Sequence, residues 1–330
     1  MRELWIAIAI VTVLATSACA QARVPAAEPA TSAAATPTPS PEPLGPERVL
    51  DGDCGRLAAA ADLSADAGVA LTALAEPWID EVAYAAVPQL GGMFCVWNGP
   101  AAEESSLSVI VLPSRSFTEV RPTGTECEGG SYCNFGAIES GFQFFGLLNI
   151  PGTESASVQA ASDAITVRVA ASLASAALPA PYAPEGAWAR AIECATLDRG
   201  HVIATALGDP AIESYAYGGD AEPNSGFYVA YVASGLTHCD WIPVGDGSGA
   251  SVSVDVMPGG AWRQADIEAL DDTEVVAVAG YELALVRGNT LHTFTAVNRL
   301  DLTLDPGDTG LTLADFYPAA TALAAELDAG

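Results

Sequence analysis

Three histidines, His201, His238 and His292, and a few acidic or glycine-rich turns are the residues of this 330-residue chain whose types could support chemistry. An imidazole acts as a base or ligand only with a carboxylate, a nucleophile or further ligands within reach. His201 falls in a helical pattern, His238 beside a cysteine and His292 in a strand pattern, and nothing in their spacing brings them together. Gly245-Asp246-Gly247-Ser248-Gly249 leads into a strand pattern rather than a helix, so its amides do not converge on a phosphate. No Gly-x-Ser-x-Gly elbow is present. Asp51-Gly52-Asp53 and Asp305-Pro306-Gly307-Asp308 are too short for a calcium loop with six or more oxygen ligands, and read as surface turns. The paired Cys-x-x-Cys or Cys/His spacings of zinc sites are missing. The sequence therefore assigns no catalytic residue, no cofactor and no metal ligand.

Cysteine chemistry is the stronger signal. Seven cysteines less Cys19 leave six, an even number that suits an oxidising compartment and allows 15 pairings. An internal repeat chooses among them. Cys54-x-x-Leu57 matches Cys194-x-x-Leu197, each opening an Ala-rich helical stretch; Val82-Ala83-Tyr84 matches Val229-Ala230-Tyr231, both read as strands; Cys95-Val96-Trp97 matches Cys239-Asp240-Trp241. The alternating strands Leu107–Val111 and Val252–Val256 follow, and each soon meets a proline, Pro113 and Pro258. The order of features pairs Cys54 with Cys95 and Cys194 with Cys239, 41 and 45 residues apart, and leaves Cys127 for Cys133. In the chain-entropy model the long loops contribute roughly 4 kcal/mol each and the short one about 2.4 kcal/mol. Trp97 and Trp241 read as core packed on these bridges.

The elements that would position these residues follow from periodicity. In the second unit Cys194–Leu207 has helical spacing, Glu213–Tyr217 and Phe227–Ala233 read as a hairpin, and Val275–Ala279, Tyr281–Arg287 and Leu291–Leu304 continue as strands. Leu313–Leu327 closes as a helix capped by Thr312. The first unit has a strand at Phe142–Ile150 and a helix near Ser155–Ala177. The expected fold class is α+β: two tandem repeats, each an antiparallel sheet flanked by N- and C-terminal helices and stapled by a disulfide. The units span 48–178 and 188–330, joined by a linker at 179–187 that contains Pro179-Ala180-Pro181-Tyr182-Ala183-Pro184. Val109, Val111, Val254 and Val256 should be buried, with Ser108 and Ser253 facing the other way.

The N-terminus supplies an address. After Arg2 the run Leu4–Ala15 is almost unbroken apolar sequence, and Thr16-Ser17-Ala18-Cys19 ends it. That run is short of the ~20 residues needed to cross ~30 Å of hydrocarbon, so residues 1–18 read as a signal peptide rather than a retained span. The small-small-Cys ending resembles the lipobox of bacterial lipoproteins, which implies lipidation of Cys19 and a membrane anchor through its acyl chains. Thr16 stands where that family usually has Leu, and plain secretion is the alternative. Residues 19–47 are mostly Ala, Pro, Ser and Thr with no aromatic residue, a tether too poor in apolar surface to fold. Its prolines favour an extended spacer, and Thr36, Thr38 and Ser40 sit in a composition that glycosylated stalks share.

The lipobox, the low-complexity arm and the Cys-x-x-Leu to Cys-x-Trp pattern together resemble a family of small actinobacterial lipoproteins of unknown function, here in tandem. The resemblance implies an extracytoplasmic position on the outer face of the cell membrane and a sandwich-like α/β domain, but no activity. The formal net charge of −29, with all 12 basic residues Arg, argues against nucleic acid or an anionic membrane face as partner. By elimination the chain reads as a lipid-anchored binding or sensory module for a small ligand. The alternatives are a structural or accessory component that binds another envelope protein, and a hydrolase with dispersed acidic residues. A groove between the two units is the first place to look for a ligand.

Overall fold

The computed structural model describes residues 45–75, 79–100, 104–117, 123–128, 131–189, 192–209, 212–216, 226–243 and 249–329. The expected signal peptide (1–18), Cys19, most of the expected tether, part of the Cys127–Cys133 loop and Gly245–Ser248 lie outside them. Residues from Glu42 onward form one compact unit, and within it the fold is α+β with two antiparallel sheets. No helix among the described residues is long and apolar enough to cross a membrane.

The first repeat runs through helices α1 (Cys54–Leu57) and α2 (Ala60–Ala67), strand β1 (Thr72–Ala73), helix α3 (Val82–Gln89), strands β2 (Met93–Asn98), β3 (Ser106–Pro113), β4 (Gly124–Glu128), β5 (Tyr132–Glu139) and β6 (Phe142–Asn149), and helix α4 (Ser155–Leu173). The second runs through α5 (Cys194–Leu197), α6 (Val202–Ala206), β7 (Ser214–Ala216), α7 (Gly226–Ser234), β8 (Thr237–Trp241), β9 (Ser251–Met257), α8 (Gln264–Glu268), β10 (Glu274–Val276), β11 (Leu283–Arg287), β12 (Thr290–Phe294), β13 (Arg299–Asp305) and α9 (Tyr317–Ala329). The sheet orders are β1-β2-β3-β6-β5-β4 and, read from the matching edge, β7-β8-β9-β13-β12-β11 with β10 added outside. The same strand order thus recurs, with one extra edge strand in the second sheet.

The register of the two sheets is also the same. Cys95 opposes Val109 as Cys239 opposes Val254. Because successive side chains point to opposite faces, this one match fixes both faces of both sheets. Val109, Val111, Val254 and Val256 are fully buried, while Ser108 and Ser253 lie on the other face. The inner face of the first sheet packs Trp97, Leu107, Phe144 and Leu148 under α1, α2 and α4; that of the second packs Trp241, Leu300, Leu302 and Leu304 under α5, α6 and α9. Disulfides join Cys54 to Cys95 and Cys194 to Cys239, fastening the first helix of each repeat to its sheet, and Cys127 to Cys133, directly opposed on β4 and β5.

Two expectations are corrected. Val82–Tyr84 and Val229–Tyr231, read as strands from their β-prone residues, begin or lie within helices α3 and α7. The reason is spacing: Val82, Ala85, Ala86 and then Gly226, Val229, Ala230, Ser234 recur at three and four residues and are buried, and α3 buries Val87, Pro88 and Gln89 besides. The hairpin of Glu213–Tyr217 with Phe227–Ala233 is accordingly absent, and β7 pairs with β8 instead. Cys194–Leu207 is a broken rather than continuous helix. His201 takes a left-handed conformation with φ 51°, and the Asp198 carboxylate accepts the Val202 amide at 2.6 Å to start the second segment. The closing helix forms with its capping box at Thr312 and Asp315.

The repeats meet through their outer faces. Helices α3 and α7 lie side by side between the sheets, and Val82, Ala85, Ala86, Val229 and Ala230 make their contact with Ile110, Leu112 and Met257. The alanines let the helices approach closely. Gln89 donates to the Pro258 carbonyl at 2.6 Å across this boundary. The linker is seated as well: Asn298 accepts the amides of Trp188 and Gly259, each at 2.9 Å, and donates to the Gly186 carbonyl at 3.0 Å.

A carboxylate placed at Val254 would be buried among apolar side chains with no cation in reach, a cost of several kcal/mol. Val254→Asp should strip hydrogen-exchange protection from β8, β9 and β13, read by mass spectrometry, while Val275→Asp, at a position 59% exposed on edge strand β10, should leave it in place.

Candidate functional site

The outer face of the second sheet carries a row of four titratable side chains. His238 on β8 opposes Asp255 on β9, Asp255 opposes Asp301 on β13, and Asp301 opposes His292 on β12. At ~4.8 Å between neighbouring strands, the row spans roughly 14 Å. His238 Nδ1 lies 2.8 Å from Asp255 Oδ1, and its Nε2 lies 3.1 Å from Asp240 Oδ1. Ser253 donates to the same Asp240 oxygen at 2.6 Å. At the far end His292 Nδ1 lies 3.0 Å from Asp301 Oδ2. Arg299 grips Asp301 with two nitrogens, Nε to Oδ1 at 2.8 Å and Nη2 to Oδ2. A second row of Asp240, Ser253, Thr303 and Thr290 runs alongside, and the two threonine hydroxyls are 3.0 Å apart.

His238, Asp255, Asp301, His292, Thr303 and Thr290 form the floor of a groove of about 360 Å³ between the repeats. One wall is Asp80–Ala83 at the start of α3, from the first repeat; the other is Phe227, Tyr228 and Tyr231 of α7. Asp80 anchors the first wall: its carbonyl accepts from Arg299 and its carboxylate pairs with Arg287. That size suits a small organic ligand, and aromatic walls over a polar floor are the usual make-up of such sites.

The same row in the first sheet has opposite character. Register places Phe94, Ile110, Phe145 and Gly136 where the second sheet has His238, Asp255, Asp301 and His292. There the start of α7 closes the face. Phe227 packs edge-on against Phe94 and Tyr84, with ring centres 4.7 Å apart in both cases. Gly226 lies so close that an added Cβ would stand 3.0 Å from Ile110 and Phe145. Aligning the two Val-Ala-Tyr segments sets Asp80 and Glu81 of α3 opposite Phe227 and Tyr228 of α7. One half of the repeat–repeat contact is a half-buried aromatic cluster and the other is an open polar groove.

Electrostatics follow from these contacts. Burial works to lower the His238 pKa, but the hydrogen bond and charge of Asp255, with Asp240 adding, outweigh it and push the group up to about 9. Burial raises the Asp255 carboxyl, and the nearby charge of Asp301 adds to the rise while His238 and Arg299 oppose it. Burial would also raise Asp301, yet Arg299 first and His292 second hold it below the usual carboxylate range. Glu81 at the groove mouth is raised by burial and by Asp80. One end of the row is therefore an ion pair that keeps its proton at neutral pH, and the other is a carboxylate locked by a guanidinium.

Spacing in the sequence kept the three histidines apart; the sheet brings two of them, His238 and His292, into one row, and His201 stays exposed at the break between α5 and α6. The repeat held the missed signal. Set against the first repeat, His238 replaces Phe94 and Asp255 replaces Ile110 at positions fixed by the cysteines and the alternating strand. The turn candidates are structural: Asp53 accepts the Gly55 amide at 2.8 Å and Asp305 the Gly307 amide at 3.2 Å. Among the described residues no three His, Cys, Asp or Glu side chains converge as a metal ligand set. No family model matches the chain, and no curated protein and no solved structure matches it.

His238 binds its proton more tightly folded than unfolded, where histidine titrates near 6.5. Its contribution of about 3 kcal/mol is complete below pH 6.5 and is lost as pH rises toward about 9. Asp255→Asn should lower the His238 midpoint, because Asp240 alone then opposes burial, and should weaken the dependence of stability on pH in that range. Imidazole NMR titration and urea midpoints measure the two effects.

Proposed function

We propose that this chain is a membrane-anchored extracytoplasmic lipoprotein whose folded part is a binding or sensory module, with a small organic ligand seated between the repeats. The observation that carries the binding reading is the contrast between equivalent rows. Sequence that is Phe, Ile, Phe and Gly in one repeat is His, Asp, Asp and His in the other, and the polar version floors a groove of about 360 Å³. Four titratable groups on a sheet face lower stability unless they are paired, and directly opposed like charges cost more still. A purely structural contact is better served by the apolar row that the first repeat already has. Recognition of a polar ligand is a use that accounts for the difference.

The extracytoplasmic part of the proposal draws on separate observations. Three disulfides belong to an oxidising compartment. The apolar run ending in Ser17-Ala18-Cys19 supports lipidation at Cys19, since two acyl chains hold a protein where one is marginal. The Pro-rich arm then serves as a spacer between bilayer and groove.

Ala83 is exposed at the groove wall, so Ala83→Trp should fill the groove and spare the fold. Ligand-observed NMR with a library of small polar aromatics should find binders to the natural chain that Ala83→Trp loses. A set of binders that all ignore this substitution would remove the groove from consideration. Intact-mass analysis of membrane-extracted protein should show Cys19 as the first residue, carrying acyl groups; Cys19→Ala should release the protein or leave it unprocessed.

A further inference from the structure

We infer that the groove takes a neutral, hydroxyl-rich ring, the chemistry of a pyranose sugar, an inference that rests on the ligand-binding reading above. The charges give the first reason. Each carboxylate of the floor is matched by a cation of the protein, Asp255 by His238 and Asp301 by Arg299. The imidazole of His238 is itself engaged at both ring nitrogens, by Asp255 and by Asp240 outside the groove lining. On the wall, Asp80 is matched by Arg287. Glu81 has no such cation among the described residues, but it stands exposed at the mouth, where a solvated charge contributes little. An ion that entered would give up its hydration to a floor with no unmatched charge to receive it.

The hydrogen-bonding capacity that remains is mixed. Asp255 accepts from His238 through Oδ1; its Oδ2 has no bond among the described residues, and the side chain keeps 22% of its surface exposed. Thr290 and Thr303, both half-buried, bond each other at 3.0 Å. Of two donors and four lone pairs that bond uses one of each, which leaves one O–H and three lone pairs. Asp255 and Thr303 are diagonal neighbours across β9 and β13, ~7–8 Å apart along the backbone, within reach of hydroxyls on one six-membered ring. A hydroxyl group both donates and accepts, so a polyol meets this mixture; an ammonium only donates and a carboxylate only accepts. The opposite wall selects a ring. Phe227, Tyr228 and Tyr231 are half-buried there. A pyranose carries C–H groups on its faces, one of which lies on aromatic side chains, and hydroxyls on its rim. An open-chain polyol has no such face and loses more conformational freedom on binding. A purely aromatic body covers the wall but leaves the polar groups of the floor unmet.

Methyl gluco-, galacto- and mannopyranosides, with the uronate and the amino sugar of each configuration and the open-chain hexitols, form a matched set for saturation-transfer NMR and calorimetry on the full chain. At least one neutral pyranoside should bind, its charged counterparts more weakly by about tenfold or more, and the hexitol not at all. The free sugars run beside the glycosides: a site that takes both fits the end of a glycan, and one that takes the free sugar alone fits a monosaccharide. Thr290→Val combined with Thr303→Val removes the hydroxyls and keeps the side-chain shape. It should weaken the sugar by about tenfold or more while the urea midpoint holds, and Ala83→Trp should abolish binding. A charged counterpart or a hexitol that binds as tightly as the neutral ring overturns the proposed ligand class and leaves the binding reading standing. So does silence of the whole set at millimolar concentration when small polar aromatics still lose binding in Ala83→Trp. Sugar binding that survives Ala83→Trp, or that ignores the paired threonine substitution, overturns the inference. Silence of sugars and aromatics alike overturns both readings.

Discussion

Two carboxylates face each other across adjacent strands, Asp255 on β9 and Asp301 on β13, and much of the second repeat's outer face answers that one repulsion. Like charges directly opposite in a sheet are unfavourable, and burial makes the charged forms costlier still. Asp301 is answered by Arg299 with two hydrogen bonds, and Asp255 by His238. Arg299 is itself oriented by the Asp80 carbonyl of the other repeat. The cluster is therefore shared between repeats: the first repeat supplies the atom that fixes the guanidinium, and the second supplies the charges it neutralises.

The same contact explains why the groove lies where it does. Helices α3 and α7 occupy equivalent places and pack on each other through small residues. Each sends its first turn over the opposite sheet. Gly226 and Phe227 settle onto an apolar surface, whereas Asp80 meets a polar surface and is held at its rim by Arg287 and Arg299, with Glu81 beside it. An aromatic side chain fills space that a carboxylate leaves open, so the identity of two residues per helix start decides which half is filled.

The architecture was legible in the sequence because long-range order was written twice. Cysteine and tryptophan fixed the register of β2 and β8, and the alternation of valine with serine fixed the faces of β3 and β9. The pattern of Val and Tyr in Val82–Tyr84 and Val229–Tyr231 points to strands because two β-prone residues in each outweigh a weak helical period that the burial of Ala85, Ala86 and Ala230 makes plain. The floor of the site was half legible. His238 and Asp255 lie at positions that alignment of the repeats reaches, but Asp301 and His292 sit on strands whose pairing depends on β13 returning beside β9 across forty-odd residues of intervening chain. Without that pairing their proximity to His238 has no local trace.

The linker from Pro179 to Pro184 has a further consequence, because it is short, proline-rich and held at its far end by Asn298. Two separate chains that met through α3 and α7 would need enough apolar contact to find and keep each other. Joined in this way, the repeats see one another at an effective concentration in the millimolar range or above. The contact then needs no high affinity of its own, and half of it was free to lose apolar burial and become polar. A symmetric pair of identical chains would also have carried two like grooves or none. Covalent joining permits one groove per molecule, and so a stoichiometry of one.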